Sequence, residues 1–249
     1  MQRVVRPEVR RALRIATLGL GLVACTRRAD RSPVDDAAKP SASEWIGERS
    51  AAEGGAPALD AAAHAPRDSW VLHVGDSFVE ASFNQNLWPH FHAAGTRYIV
   101  RARTATYTTT WANDAEFDDL LARRPSLVIV TLGANEFDIT APEQHGRAIE
   151  AIARKVARAG ASCVWTSPPM WTRDTGIVQV IRDHCAPCLF FDSDAVLGGL
   201  SPAERKGDRI HPNARGGARW ADAFWAWLVR HRDPDAGPWV LVPFEPRGT

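Results

Sequence analysis

Short apolar runs, bounded by glycine, proline or charged residues, recur through the middle of the chain. Trp70-Val71-Leu72-His73-Val74 and Leu127-Val128-Ile129-Val130-Thr131-Leu132 are nearly unbroken, the pattern of strands buried on both faces. The same pattern predicts strands over residues 69–74, 97–102, 126–132, 162–166 and, more briefly, 188–191. Between them apolar positions recur at helical spacing, predicting helices over residues 79–94, 114–123, 143–159, 176–184 and 213–230. In the last of these Trp220, Phe224, Trp227 and Leu228 form a core-facing stripe. Pro89 is expected to kink or split the first helix, because it lacks an N–H and crowds the preceding turn. Strand and helix in alternation predict a parallel sheet with helices on both faces and right-handed crossovers. In such a sheet a ligand site lies off the C-terminal ends of the strands.

The ends of the chain read differently. Arg3, Arg6, Arg10, Arg11 and Arg14 make a basic leader, and residues 15–24 are an apolar stretch too short to span a bilayer. It closes on Leu22-Val23-Ala24-Cys25, which resembles a bacterial lipobox. That resemblance implies a signal peptide over residues 1–25, lipidation of Cys25 and anchoring at a membrane surface. Thr26, where an aspartate would retain a lipoprotein at the inner membrane, implies the outer membrane, facing the periplasm of a bacterial cell envelope. Residues 26–68 are rich in Ala, Pro, Ser and charge, and read as a disordered tether. The chain has 249 residues, enough for one α/β domain of about 150–180 residues with appendages, placed at 69–231. Residues 232–249 read as an extended C-terminal tail.

Four short segments carry the chemistry. Val74-Gly75-Asp76-Ser77-Phe78 puts Ser77 where the first strand turns into a helix, so its hydroxyl can leave the sheet edge with helix N–H groups behind it. Tyr107-Thr108-Thr109-Thr110-Trp111 follows the second strand, and Gly133-Ala134-Asn135-Glu136 ends the third. In Asp208-Arg209-Ile210-His211-Pro212 the carboxylate and imidazole stand three apart on a turn. That spacing lets Asp208 hold one ring nitrogen while the other faces a serine. Each is bland alone: a serine after a strand is usually a helix N-cap, and His-Pro is usually a turn. All of them at one predicted sheet edge point to catalysis.

Together, over roughly residues 70–231, they resemble the SGNH (GDSL-type) hydrolase family. The resemblance implies an α/β, flavodoxin-like three-layer sandwich with a five-stranded parallel sheet and helices on both faces. It implies a serine esterase or O-acyltransferase with Ser77 as nucleophile, His211 as base and Asp208 as its orienter. The oxyanion hole would be the Ser77 N–H, the Asn135 side chain and an N–H at Thr106 or Tyr107. Two positions depart from the family pattern. The second segment has no glycine between Arg103 and Trp111, and Glu136 stands where an aspartate is usual. Trp111, Glu136, Pro169 and Trp171 are candidates to line the substrate, the tryptophans by stacking on a sugar or acyl group. The substrate class is a small or polysaccharide ester, with O-acetyl groups of envelope carbohydrate in view. No metal and no organic cofactor is implied. A glycan- or protein-binding domain without activity is the rival reading.

A net charge of +1 gives no field to attract nucleic acid. There are four cysteines. Cys185-Ala186-Pro187-Cys188 has redox spacing, but it follows a helix where a redox motif opens one. A zinc site would need a second ligand pair, and only Cys163 and scattered histidines remain. A structural disulfide or plain packing is therefore expected for Cys185 and Cys188.

Overall fold

The computed structural model describes residues 69–242. The predicted leader, Cys25 and the tether lie outside the described residues, as does the end of the C-terminal tail.

Five strands form one parallel sheet in the order β2-β1-β3-β4-β5. They are β1 (Trp70–Gly75), β2 (Arg97–Ala102), β3 (Leu127–Thr131), β4 (Ser162–Thr166) and β5 (Leu189–Phe191). This is the doubly wound order in which the chain reverses direction between β1 and β3, leaving a crevice at their C-terminal ends. Gly75 pairs with both Ala102 and Thr131, so the three strands end level with one another.

Strand pleating sorts the core into two. Leu72 and Val74 of β1 and Val128 and Val130 of β3 face one side, where α3 (Ala115–Ala122), α4 (Gly146–Arg158) and α5 (Ile177–His184) cover them. Val71, Leu127 and Ile129 face the other, against α1 (Asn84–Ala93) and α7 (Ala214–Arg230). The result is a three-layer α/β sandwich. On α7 Trp220, Phe224 and Leu228 of the expected stripe are fully buried, while Trp227 packs at its margin, partly buried. Among the described residues no helix is long and apolar enough to cross a membrane.

The first helix differs from expectation at Pro89. It runs on through the proline, and the irregularity falls earlier, as a π turn over Val79–Phe83 directly after Ser77. α7 presses on that turn so closely that a Cβ on Gly217 would meet Ser82 Oγ at 2.1 Å. Two short helices escaped the sequence reading, α2 (Thr108–Ala112) and α6 (Ser193–Leu197).

The cysteines pair otherwise than the C-x-x-C spacing suggested. The disulfide joins Cys163 to Cys188, and Cys185 is a free, buried thiol. Strand register explains it: Val164 of β4 pairs with Leu189 of β5, so Cys163 and Cys188 stand opposite each other one step before. Cys185 instead ends α5, packed in the core, where burial pushes its thiol up to about 11.

Candidate active site

Ser77 sits in the crevice because β1 ends against its neighbours. A Cβ on Gly75 would meet the Thr131 carbonyl oxygen at 2.4 Å, so only glycine lets the strand turn there. Asp76 is fully buried beneath the turn, and its Oδ1 accepts the Phe78 N–H at 2.9 Å. From the far end of the sequence the loop before α7 delivers His211. Its Nε2 lies 2.8 Å from Ser77 Oγ, and its Nδ1 lies 2.8 Å from Asp208 Oδ2. Asp208 Oδ1 accepts the N–H groups of Ile210 (2.8 Å) and His211 (3.0 Å), which fixes the carboxylate beneath the ring. The bond from His211, then that from Ile210, hold the Asp208 carboxyl at about 2, so it stays ionised. An ionised acceptor at Nδ1 keeps the ring proton there and leaves Nε2 as the acceptor facing the serine hydroxyl.

On the other side of Ser77 lies Asn135, in the 3₁₀ turn Ala134–Glu136 after β3. Its Nδ2 donates to the Thr106 carbonyl oxygen at 2.8 Å and, weakly, to Asp76 Oδ2 at 3.4 Å. Asp76 is pushed up to about 7, first by burial. The Tyr107 N–H is engaged by Thr110 Oγ1 at 3.2 Å within the cap of α2. Among the described residues the N–H groups of Ser77 and Thr106 make no turn or loop hydrogen bond to a backbone carbonyl. In the glycine-free stretch between Arg103 and Trp111, Ala105 takes the left-handed conformation, φ 58°.

A model of the GDSL-like lipase/acylhydrolase family matches residues 68–219, more than half of the chain. The chain belongs to the GDSL-like lipase/acylhydrolase family. Solved structures agree on the fold. The crystal structure of TesA is similar with a TM-score of 0.54 at 21% identity, over 64% of this chain and 98% of that one. A carbohydrate esterase family 3 protein from Talaromyces cellulolyticus gives 0.53 at 15%, over 65% and 96%. The psychrotrophic esterase EstA from a Pseudoalteromonas species, inhibited by monoethylphosphonate, gives 0.51 at 19%, over 65% and 100%. A comparison with curated proteins found no match.

Of the four lining residues named from sequence for this GDSL-like chain, one stays partly exposed, against a ring that touches His211. Trp171 is half-buried and stacks on Phe78 (5.3 Å between ring centroids), which in turn lies 5.1 Å from the His211 ring. Phe137 packs on the same indole at 4.5 Å, extending the aromatic row. The other three expectations are corrected. Trp111 is 1% exposed and belongs to the core, its Nε1 donating to Thr106 Oγ1. Pro169 is buried. Glu136 is fully buried with its carboxylate turned inward, where Oε1 accepts the Thr108 N–H at 2.6 Å and lies 3.4 Å from His145 Nδ1. Burial raises the Glu136 carboxyl, and its Oε2 has no partner. The glutamate thus caps α2 and holds the second segment against Asn135.

Sequence reasoning missed two residues. His145 bonds Thr108 Oγ1 at 2.8 Å, closing the latch at Glu136. Arg205 is 7% exposed and donates to the carbonyl oxygens of Ile210 (2.6 Å) and Met170 (2.6 Å), with longer contacts to Pro169. It staples the loop carrying Trp171 to the loop carrying His211. A single arginine has no spacing signature that could have revealed this. Among the described residues no group of three His, Cys, Asp or Glu side chains could hold a metal ion.

Proposed function

We propose that this chain is a serine esterase or O-acyltransferase that acts through Ser77, His211 and Asp208. One observation carries the reading: the unbroken hydrogen-bonded chain from Ser77 Oγ through His211 to Asp208, 2.8 Å at each step. In the first half-reaction Ser77 Oγ attacks the ester carbonyl carbon while His211 Nε2 takes its proton. The negative charge that moves onto the carbonyl oxygen is met by the N–H groups of Ser77 and Thr106 and by Asn135 Nδ2. Asp208 stabilises the imidazolium. The tetrahedral centre collapses, the alcohol leaves with the proton from His211, and an acyl-serine remains. Water, or an acceptor hydroxyl, repeats the sequence in reverse. Each hole donor contributes on the order of 10²–10³ in rate.

The substrate is an O-acyl, chiefly O-acetyl, ester on cell-envelope carbohydrate. The half-buried Trp171 and Phe137, backed by the buried ring of Phe78, support this, since flat apolar faces suit sugar rings and small acyl groups. So does the fold shared with a protein described as a carbohydrate esterase. The Cys163–Cys188 disulfide supports an oxidising compartment. With it goes the proposed lipid anchor on Cys25, which would hold the domain at the outer membrane facing the periplasm. Fatty-acid analogue labelling of the parent and of Cys25→Ser tests the anchor, and an unlabelled parent chain would remove it.

The decisive experiment is covalent. A fluorophosphonate probe should label the parent, and Ser77→Ala should abolish that labelling. Ser77→Ala and His211→Ala should each bring hydrolysis of p-nitrophenyl acetate and of acetylated glycan to near background with an unchanged melting temperature. A parent chain that neither labels nor hydrolyses would leave the binding-only reading in its place.

A further inference from the structure

Between α1 and the edge strand β2 lies a cavity of about 350 Å³, lined by Asn84, Gln85, Trp88, Tyr98 and Val100. It is separate from the triad. Asn84 follows Ser77 by seven positions along one helical run, on the order of 10 Å at about 1.5 Å per residue. Its size falls at the low end of ligand sites, about 300–1,000 Å³.

Three features there point to a ligand. Trp88 is 52% exposed, the most exposed large hydrophobic side chain among the described residues. One face of its indole stacks on His92, 4.7 Å away with the rings nearly parallel, which fixes the ring without covering it. Asn84 Oδ1 is buried and has no hydrogen-bond partner, an acceptor that folding has removed from water without replacing. Gln85 adds a second carboxamide on the rim. The Tyr98 hydroxyl is already engaged by His73 Nδ1, so its ring serves as wall. The lining holds no charged side chain, so it selects neither phosphate nor an acidic lipid.

We propose that this groove binds a neutral sugar unit of a glycan chain. A pyranose ring presents an apolar C–H face that fits the open indole face, and its hydroxyls can meet the Gln85 amide and, as the half-buried Asn84 side chain turns toward the ligand, donate to its Oδ1. The proposal rests on the carbohydrate-ester reading above and extends it. One stretch of glycan lies in the groove while an acyl group further along reaches Ser77.

The test separates binding from turnover. Calorimetric titration of the full-length Ser77→Ala chain uses two probes, N-acetylglucosamine tetramer and an O-acetylated xylo-oligosaccharide. At least one probe should bind. Adding Trp88→Ala should weaken that binding tenfold or more, Asn84→Leu several-fold, and Trp88→Phe should retain much of it. With Ser77 intact, Trp88→Ala should hydrolyse p-nitrophenyl acetate within twofold of the parent, while KM on acetylated glycan rises several-fold. Binding of neither probe, or undiminished binding by Trp88→Ala, overturns the proposal. So does an equal loss on both substrates. A chain that binds the tetramer through Trp88 yet hydrolyses no ester would sink the esterase reading and leave the groove intact.

Discussion

Asp76 shows how one residue beside a reactive group can tie stability to pH. It is buried beneath the serine turn, and its carboxyl is raised from the ordinary 3.8 to about 7. The folded state therefore keeps a proton that the unfolded chain releases above about 4. Its contribution is fully present below that pH and is lost as pH rises through about 7. Asp76→Asn has no proton to lose. The melting temperature of Asp76→Asn relative to the parent should climb between about pH 4 and 7, then level off. A difference that stays constant over that range would mean the carboxyl titrates normally. Asp208 carries the opposite sign. Held at about 2, it supports the fold above the ordinary carboxylate range and ceases to as pH falls through about 2.

Loops rather than strands meet at the serine, and Arg205 joins two of them. Its buried guanidinium serves three backbone carbonyl oxygens on either side of the crevice. Arg205→Met should strand those acceptors, lowering kcat about tenfold or more on a small ester with little change in KM. Arg205→Lys, which can still donate to one or two of them, should recover part of the loss. Recovery of melting temperature without recovery of kcat in the lysine variant would make Arg205 a structural residue alone. At this scale much was legible. The continuous apolar runs marked β1 and β3, because strands buried on both faces need no alternation; shorter apolar stretches marked β4 and the two edge strands, and the spacing of Trp220, Phe224, Trp227 and Leu228 marked α7. α2 was invisible. Thr108, Thr109 and Thr110 favour extended chain, and they wind into a helix because the Glu136 carboxylate, from another loop, meets the Thr108 N–H. The same long-range dependence hid Arg205 and His145, and it let Glu136 and Trp111 pass for lining residues. Ser77, Asp208 and His211 were legible because their local turns already present the groups. The disulfide was misread because register between β4 and β5, not separation along the chain, decides which cysteines meet.

The described domain is held at its β5 edge by that disulfide, which closes a loop with a sequence separation of 25. Loop-closure entropy predicts a contribution of about 3 kcal/mol, several degrees in melting temperature for a domain of this size. Cys163→Ala with Cys188→Ala should show that loss while activity per folded molecule persists. Cys185→Ala should be milder, as a small cavity. Equal losses would mean the bond adds nothing beyond packing. The two halves of the proposed catalytic device come from opposite ends of the domain: Ser77 follows the first strand and His211 precedes the last helix. α7, which follows His211, also seals the π turn beneath the proposed nucleophile. A polypeptide emerging from its ribosome N-terminus first therefore displays Ser77 long before His211, its proposed base, exists. A hydroxyl without a base is a weak nucleophile. On the proposed mechanism the order of synthesis is thus its own safety catch, and ester cleavage would begin only once the final helix has arrived.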